Sequence, residues 1–221
     1  MLSCFSPTTQ CNGRGATPGS NMNDVSQSRY WNDIYSQPEH PGWTLGHAAP
    51  PLAHWLKAER PRPGRVAVLG CGYGHDAALF AQAGFDAWGY DFAPLAIERA
   101  RQAGHETKQG RLTFVQADFF DLPRTEQGAF DYVYEYTSFV AIEPARRDEY
   151  AAMCQAILKP AGMLVGCFYN HGRSGGPPFD TTREDVLKAF AARFHIRRLE
   201  VTPHSIERRK GHELWAEMVR R

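Results

Sequence analysis

The chain has 221 residues, of which 43% are apolar, and its 25 Lys and Arg against 24 Asp and Glu leave a net charge of +1. Such a composition is typical of a globular protein with a sizeable buried core. The near-zero net charge argues against a nucleic-acid partner, which would need a clustered basic face. The short basic run at 208–210 is interpreted as a solvated turn before the last strand.

Cysteine spacing and the length of apolar runs argue against three further classes: disulfide-stabilised, metal-binding and membrane-spanning proteins. The five cysteines are odd in number and dispersed, so we expect neither a disulfide framework nor a metal site. A reducing, cytoplasmic compartment is the simplest expectation. No apolar run reaches the roughly 20 residues of a membrane span, so no membrane partner is expected. Residues 1–23, which are mostly small and polar, are predicted to form a disordered tail.

Strands and helices are predicted to alternate over 24–221, which we interpret as one domain. Short apolar runs predict seven strands, over 65–69, 85–90, 112–115, 130–134, 163–169, 195–201 and 213–219. Helical patterns predict six helices, over 25–35, 48–59, 75–83, 94–102, 144–158 and 183–192. The alternation predicts an α/β three-layer sandwich with a mostly parallel sheet covered on both faces. The last two strands, with no helix between them, are predicted to form an antiparallel hairpin at one edge.

A glycine-rich turn follows the first predicted strand and precedes a predicted helix. Its glycines, Gly70, Gly72 and Gly74, let the backbone turn tightly and let a ligand approach the main chain. Open α/β sheets bind ligands at this position, beyond the carboxyl ends of their strands. The G-x-G-x-G spacing is less suited to a pyrophosphate than the G-x-G-x-x-G of dinucleotide oxidoreductases.

Two carboxylates are predicted at neighbouring strand ends, on the same edge of the sheet as the turn. Asp91 ends the second strand, 21 residues after Gly70 (91 − 70), where an acidic residue accepts hydrogen bonds from ribose hydroxyls. Asp118 and Phe119 follow the third strand and suit the amino group and ring face of adenine. The sequence therefore predicts a site for an adenine nucleoside.

The segment V-A-V-L-G-C-G-Y-G-H-D, over 66–76, resembles the first motif of class I S-adenosylmethionine-dependent methyltransferases. The resemblance implies a Rossmann-like, seven-stranded sheet with an antiparallel final strand. It also implies S-adenosyl-L-methionine as cofactor, S-adenosyl-L-homocysteine as product and no metal. Cys71 of the turn and Phe92, beside Asp91, are counted with the cofactor-binding residues.

Further segments are similar to the thiopurine methyltransferase superfamily, and within it to halide, thiocyanate and thiol methyltransferases. Residues 43–51 resemble a W-x-x-G-x-x-x-P motif, and residues 130–139 resemble F-D-x-x-x-D-Y-T-x-F. Residues 175–179 match G-G-P-P-[YF], and residues 209–213 match R-x-G-x-E. The chain departs from this pattern at Glu135, where these relatives more often carry aspartate.

The resemblance implies roles for individual residues. Trp31 and Trp43, within N-terminal helices and loops over 24–60 that cover the site, would enclose the cofactor, whose sulfonium is attracted to aromatic faces. Core packing is the alternative for both tryptophans. Glu135 and Tyr136 would face the transferred methyl, with Glu135 also contacting the cofactor. The predicted acceptor pocket consists of Tyr136, Phe139, Tyr169, His171 and Phe179.

The acceptor is expected to be a small soft nucleophile: a thiol, thiocyanate, halide or thiopurine-like sulfur. Methyl transfer from a sulfonium to such a nucleophile needs alignment and exclusion of water more than a general base. One alternative is an O- or N-methyltransferase of a small aromatic metabolite, with His171 or Glu135 removing a proton. A second is a cofactor-binding module without catalysis. The sequence leaves the acceptor open, as well as the choice between monomer and homodimer.

Overall fold

A computed structural model describes residues 24–107 and 109–221, so the predicted disordered tail over 1–23 lies outside the described residues. The strands are β1 Arg65–Leu69, β2 Asp86–Asp91, β3 Arg111–Gln116, β4 Phe130–Tyr136, β5 Leu158–Tyr169, β6 Phe194–Val201 and β7 Glu213–Arg220. The α-helices are α1 Ser28–Tyr35, α2 Pro50–Glu59, α3 His75–Gln82, α4 Pro94–Gln102, α5 Arg147–Ile157 and α6 Arg183–Phe190. Short 3-10 helices span Phe119–Arg124, Pro144–Arg146 and Glu207–Arg209.

The seven strands form one sheet in the order β3-β2-β1-β4-β5-β7-β6. The pairs among β1 to β5 are parallel, whereas β7 runs antiparallel to both β5 and β6. The predicted Rossmann-like α/β architecture with an antiparallel final strand is therefore confirmed. Within the described part of the chain, no helix combines the length and apolarity that crossing a bilayer requires.

Many predicted boundaries differ from the structure by one to three residues, and two differences around α5 have a structural cause. The predicted helix over 144–158 divides into a 3-10 turn at Pro144–Arg146 and an α-helix from Arg147. Strand β5 begins at Leu158 rather than at residue 163. The extra residues pass through Ala161, which has a φ of 59°, and the pairing with β4 shifts register between Phe130 and Tyr132. Lys-Pro-Ala-Gly signals a turn in the sequence, so its continuation as an irregular strand was not predicted.

Successive side chains of each central strand point to opposite faces of the sheet. Both faces are apolar because these strands consist mostly of apolar residues. In β1, Val66 and Val68 pack in a cluster with Leu52 and Trp55 of α2. Ala67 belongs to the cluster on the other face, which includes buried residues of α5 and α6. Helices on both faces remove the sheet from water, as the hydrophobic runs predict.

Strand register brings the carboxyl ends of β1 to β4 to one edge. Leu69, the last residue of β1, lies opposite Tyr90 of β2 and Glu135 of β4. Asp91 of β2 lies opposite Gln116 of β3. The residues that follow these strands therefore start from neighbouring positions, which is the condition for a shared site.

We expect Phe168→Ala to lower the free energy of unfolding by about 3–5 kcal/mol, because truncating a large core aromatic leaves a cavity. Phe168 is fully buried, with ring centroids 5.1 Å from Phe139 and 5.5 Å from Phe190. Val201→Ala is the control, since Val201 is 53% exposed and its truncation should cost less than about 0.5 kcal/mol. Urea unfolding of both variants measures the difference, and equal losses would contradict this packing.

Candidate functional site

A cavity of about 610 Å³ opens at the carboxyl edge of the sheet. Its wall includes parts of α1, the loop before Trp43, the glycine turn, the ends of β2 and β3, and the segments over 137–143, 173–178 and 208–209. Eight residues predicted for the site lie on this wall: Trp31, Trp43, Gly70, Asp91, Phe92, Asp118, Phe119 and Tyr169. The predicted strand-end carboxylates and the aromatic residues of the N-terminal region thus meet around one space.

The Asp91 carboxylate holds the glycine turn against the end of β2. Its Oδ2 accepts a hydrogen bond from the Gly72 N–H at 2.8 Å, and its Oδ1 accepts one from the Ala93 N–H at 2.9 Å. Burial raises the pKa of Asp91 to about 6, against the opposing effect of these backbone donors. Each oxygen keeps a second lone pair for a hydroxyl donor in the cavity.

Gly70 shows why the turn needs glycine. Its φ is +58°, in the left-handed region, and a Cβ built there would lie 2.7 Å from Ser138 Oγ. The Ser138 hydroxyl itself donates to the Leu69 carbonyl at 2.7 Å. A side chain at Gly70 would therefore push apart the turn and the segment that follows β4.

Asp118 lies at the start of the 3-10 helix that follows β3. Its Oδ1 accepts a hydrogen bond from the Phe120 N–H at 2.9 Å, which fixes the carboxylate at the cavity wall beside Phe119. Its other oxygen makes no hydrogen bond to any residue that the structure describes. The pair thus offers an acceptor and an aromatic face to a planar ring that carries an amino group.

Three aromatic residues form a partial cage on the N-terminal side of the cavity. The rings of Trp31 and Trp43 meet edge to face with centroids 5.9 Å apart, and those of Tyr35 and Trp43 also lie 5.9 Å apart. Trp43 Nε1–H donates to the Tyr35 hydroxyl at 3.2 Å and Trp31 Nε1–H donates to the Val25 carbonyl at 2.8 Å, so both tryptophans are fixed in orientation. Electron-rich ring faces attract a cation such as a sulfonium.

Helix α1, which includes Trp31 and Tyr35 of this cage, is hydrogen-bonded to the segment that follows β2. Ser28 Oγ–H donates to the Phe92 carbonyl at 3.0 Å, and Asn32 Oδ1 accepts from the Leu95 N–H at 3.0 Å. Tyr35, which sequence reasoning missed, was detectable as the residue one helical turn after Trp31. Helix α2 contributes Leu52 and Trp55 to the core and does not line the cavity.

Glu135 is not brought to the cavity wall. It is fully buried, and its Oε1 accepts from the Phe139 N–H at 2.9 Å while its Oε2 accepts from the Tyr150 hydroxyl at 2.5 Å. Burial raises the pKa of Glu135 to about 7. This carboxyl group holds the chain where it leaves β4. The glutamate side chain, one methylene longer than the aspartate of the resembled motif, reaches these partners in the core.

Other predicted site residues also lie away from this wall. Phe139 is fully buried and packs against the core rings of Phe168 and Tyr150. The ring of His171 is 4% exposed and Phe179 donates its N–H to the Val140 carbonyl, and neither lines the cavity. Three more predicted residues line a smaller cavity of about 60 Å³ beside the glycine turn: Cys71, Gly72 and Tyr136.

The loop between β5 and α6 is anchored at its end by a buried arginine. Arg147 Nη2 donates to the Asp180 carbonyl at 2.7 Å and to Thr181 Oγ1 at 3.0 Å. Arg147 is 7% exposed, and its guanidinium lies 4.9 Å from the centroid of the Phe139 ring. The loop thus has a fixed end, while its middle reaches the cavity through Arg173, Pro177 and Pro178.

Arg209 lines the cavity although the run over 208–210 was interpreted as a solvated turn. That interpretation is wrong for Arg209, which is 5% exposed and pairs with Glu213 at 3.2 Å. Its guanidinium lies 5.3 Å from the Tyr136 ring centroid and 5.0 Å from that of Tyr169. The R-x-G-x-E spacing was the available signal, since it places an acid four residues after the arginine.

Comparisons with known proteins agree with this architecture. Residues 26–219 match the sequence model of the family described as thiopurine S-methyltransferase (TPMT). Thiocyanate methyltransferase 1 of Brassica oleracea is 36% identical over 176 residues, covering 77% of this chain and 76% of the relative. Thiopurine S-methyltransferase of Pseudomonas paraeruginosa (strain DSM 24068 / PA7) is 30% identical over 174 residues, covering 72% and 80%. The solved structure of 1,6-didemethyltoxoflavin-N1-methyltransferase from Burkholderia thailandensis aligns with a TM-score of 0.66 at 21% identity, covering 93% of each chain.

The fold is that of a Rossmann-like methyltransferase. The chain belongs to the thiopurine S-methyltransferase family, because the family match spans almost all of the described residues. It is an enzyme that uses S-adenosylmethionine as cofactor, and the predicted family, enzyme class and cofactor are confirmed. Two carboxylates, an aromatic cage and a cavity of this volume fit an adenine nucleoside with a charged sulfur. No group of three or more metal-ligating side chains occurs within 24–107 and 109–221.

We expect Trp43→Leu to weaken binding of S-adenosylmethionine about tenfold, because the cation–π attraction to the sulfonium is lost. Binding of S-adenosylhomocysteine, whose sulfur is neutral, should weaken less. Trp43→Phe keeps an aromatic face and should restore most of the difference. Calorimetric titration with both compounds measures it, and equal losses for the two would mean that Trp43 only packs.

The buried Glu135 carboxyl predicts a pH effect on stability. Its pKa rises from 4.5 to about 7 on folding, so the protonated group stabilises the fold fully below pH 4.5. That contribution is lost as the pH rises towards 7. The wild type should therefore lose stability relative to Glu135→Gln between pH 5 and 8. Urea unfolding across this range tests it, with the exposed Glu98→Gln as control, and a pH-independent difference would refute it.

Proposed function

We propose that the enzyme transfers a methyl group to the sulfur of small thiol or thiocyanate-type acceptors. The observation that carries the proposal is that the relatives are named for methylation of thiocyanate and of thiopurine sulfur and align over more than 70% of the chain. The local chemistry of the cavity supports it. An apolar, aromatic wall next to a buried guanidinium suits a polarisable anion.

The cofactor end of the cavity is assigned to the wall at β2, β3 and α1. Bound S-adenosylmethionine supplies an electrophilic methyl carbon with a neutral leaving group. Asp91 accepts hydrogen bonds from ribose hydroxyls, and Asp118 accepts one from the adenine amino group. Trp31 and Trp43 would attract the sulfonium. Together these four residues would hold the cofactor in one orientation.

The acceptor end is assigned to the wall at Tyr169 and Arg209. The Arg209 guanidinium is held by Glu213 and by two aromatic rings, so its position is fixed and the N–H groups that Glu213 does not use can donate to a bound thiolate. A nearby positive charge lowers the pKa of a bound thiol and favours the thiolate, which is the nucleophile. A thiolate needs no general base, in keeping with the burial of Glu135 away from the cavity.

Apolar residues at the mouth exclude water from the reacting atoms. Val140, Ile142, Pro177 and Pro178 contribute to the wall around the acceptor end. Exclusion of water removes the hydration shell of the thiolate and strengthens its attraction to Arg209. The protein contributes mainly by aligning the two reactants at short distance.

We also propose that the enzyme acts in the cytoplasm. The three cysteines of the described residues, Cys71, Cys154 and Cys167, are all free thiols, which suits a reducing cytoplasm. We retain the prediction of a monomer or homodimer that acts on a small molecule.

A turnover assay with S-adenosylmethionine and matched acceptors tests the proposal. Thiophenol, phenol and aniline differ only in the nucleophilic atom, and thiocyanate adds an acceptor without a ring. We expect S-adenosylhomocysteine release with thiophenol and thiocyanate, at rates well above those with phenol and aniline. Turnover with phenol or aniline alone would replace the proposal with O- or N-methylation.

The Arg209 assignment predicts a second result. Arg209→Met combined with Glu213→Gln removes the guanidinium without leaving a buried charge unpaired. The double variant should lose about 10- to 100-fold in kcat/KM for thiophenol, the range expected for one hydrogen bond to a charged group. The pH at half-maximal kcat should rise, because kcat reports ionisation in the enzyme–substrate complex, where the bound thiolate is less stabilised without the guanidinium. Calorimetry with S-adenosylhomocysteine should give wild-type affinity, and an unchanged pH profile would contradict the assignment.

A further inference from the structure

Only some of the arginines on the cavity wall form ion pairs with carboxylates. Four guanidiniums lie on its wall: Arg146, Arg173, Arg208 and Arg209. Arg146 pairs with Glu149 at 2.8 Å, and Arg209 pairs with Glu213. Within the described part of the chain, no carboxylate oxygen lies within 4.0 Å of a side-chain nitrogen of Arg173 or Arg208. Two positive charges at the mouth are therefore left for a ligand.

Arg173 is oriented by His171. His171 Nε2 lies 3.1 Å from the Pro178 carbonyl, which can only accept, so Nε2 carries a hydrogen. In the neutral ring, the single lone pair of Nδ1 is shared between the Arg173 backbone N–H at 3.2 Å and Arg173 Nε–H at 3.3 Å. The two terminal nitrogens of the guanidinium remain available to a partner outside the loop.

Arg208 is fixed against the segment that precedes Trp43. Its Nη2 donates to the Gly42 carbonyl at 2.7 Å, across 166 positions of sequence. Gly42 precedes Trp43 of the aromatic cage, so this contact links the segment before β7 to the N-terminal wall. The side chain keeps further N–H groups for a ligand.

The sheet order separates Arg173 from the carboxylates that are assigned to the nucleoside. Asp91 and Asp118 follow β2 and β3, on one side of β1, whereas Arg173 follows β5, on the other side. A third wall carboxylate, Glu143, belongs to the segment after β4. The acceptor end is thus the side with unpaired positive charge, and the cofactor end is the side with two carboxylates.

We infer that the acceptor carries a carboxylate and that Arg173 selects it. A guanidinium matches a carboxylate with two parallel hydrogen bonds, which adds geometric selectivity as well as attraction. His171 is the positioning residue, because it directs Arg173 without touching the acceptor. The inference rests on the proposed function and narrows its substrate class to anionic thiols.

The test compares 4-mercaptobenzoate with thiophenol, which lacks the carboxylate. Arg173→Met should raise KM for 4-mercaptobenzoate about tenfold, the scale of one charge-assisted hydrogen bond, and change KM for thiophenol less than about twofold. The kcat values should stay close to wild type. Arg183→Met is the control, since it removes the same charge from an exposed arginine that does not line the cavity.

His171 variants test the positioning role. His171→Asn places a carbonyl oxygen close to where Nδ1 lies and should keep the preference for the carboxylated thiol. His171→Phe removes the acceptor and should reproduce the KM effect of Arg173→Met without a matching loss of kcat. Loss of activity on both thiols in both His171 variants would overturn the positioning role.

Binding without turnover separates this inference from the proposed function. Calorimetry in the presence of S-adenosylhomocysteine should show tighter binding of 4-(methylthio)benzoate than of thioanisole, and Arg173→Met should abolish the difference. No preference in the wild type would overturn the inference even if thiophenol is methylated. A rise in KM for S-adenosylmethionine alone would also overturn it, because the carboxylate recognised would be the cofactor's own. Absence of thiol methylation together with preferred binding of the carboxylate would contradict only the proposed function.

Discussion

The site depends on one buried carboxylate that joins two pieces of backbone. Asp91 accepts hydrogen bonds from the Gly72 and Ala93 N–H groups, so it binds the glycine turn after β1 to the start of α4. A carboxylate in this position is costly to bury, which raises its pKa, and it is tolerated because backbone donors satisfy it. The same group that shapes the turn also faces the cavity. The shape of the turn and the lining of the cavity therefore depend on the same carboxylate.

Much of the fold was predictable from the sequence because the information is local. Each central strand is a short apolar run between turns, and both predicted closing strands exist, at Phe194–Val201 and Glu213–Arg220. The 3-10 helices at Phe119–Arg124 and Glu207–Arg209 were not predicted, since three to six residues carry no periodicity. The early start of β5 depends on pairing with β4, which local patterns do not contain.

The two ends of the site differ in how far sequence could place them. The residues proposed to hold the cofactor lie at strand ends, and parallel strands bring those ends together, so Asp91 and Asp118 could be located by counting. The positions of the residues proposed or predicted for the acceptor end depend on contacts between distant segments. Glu135 bonds to Tyr150 on α5, which keeps it inside the core. Arg209 is buried because it pairs with Glu213 and packs against two aromatic rings. A short basic segment in the sequence does not indicate such contacts.

The way Arg147 anchors the loop after β5 has an evolutionary consequence. The buried guanidinium secures Asp180 and Thr181, so the tip of the loop, around Arg173, carries little of the burden of stability. Substitutions at the tip can accumulate at small cost to folding while they alter which molecules the mouth admits. Changes of specificity at this site can therefore leave the fold intact.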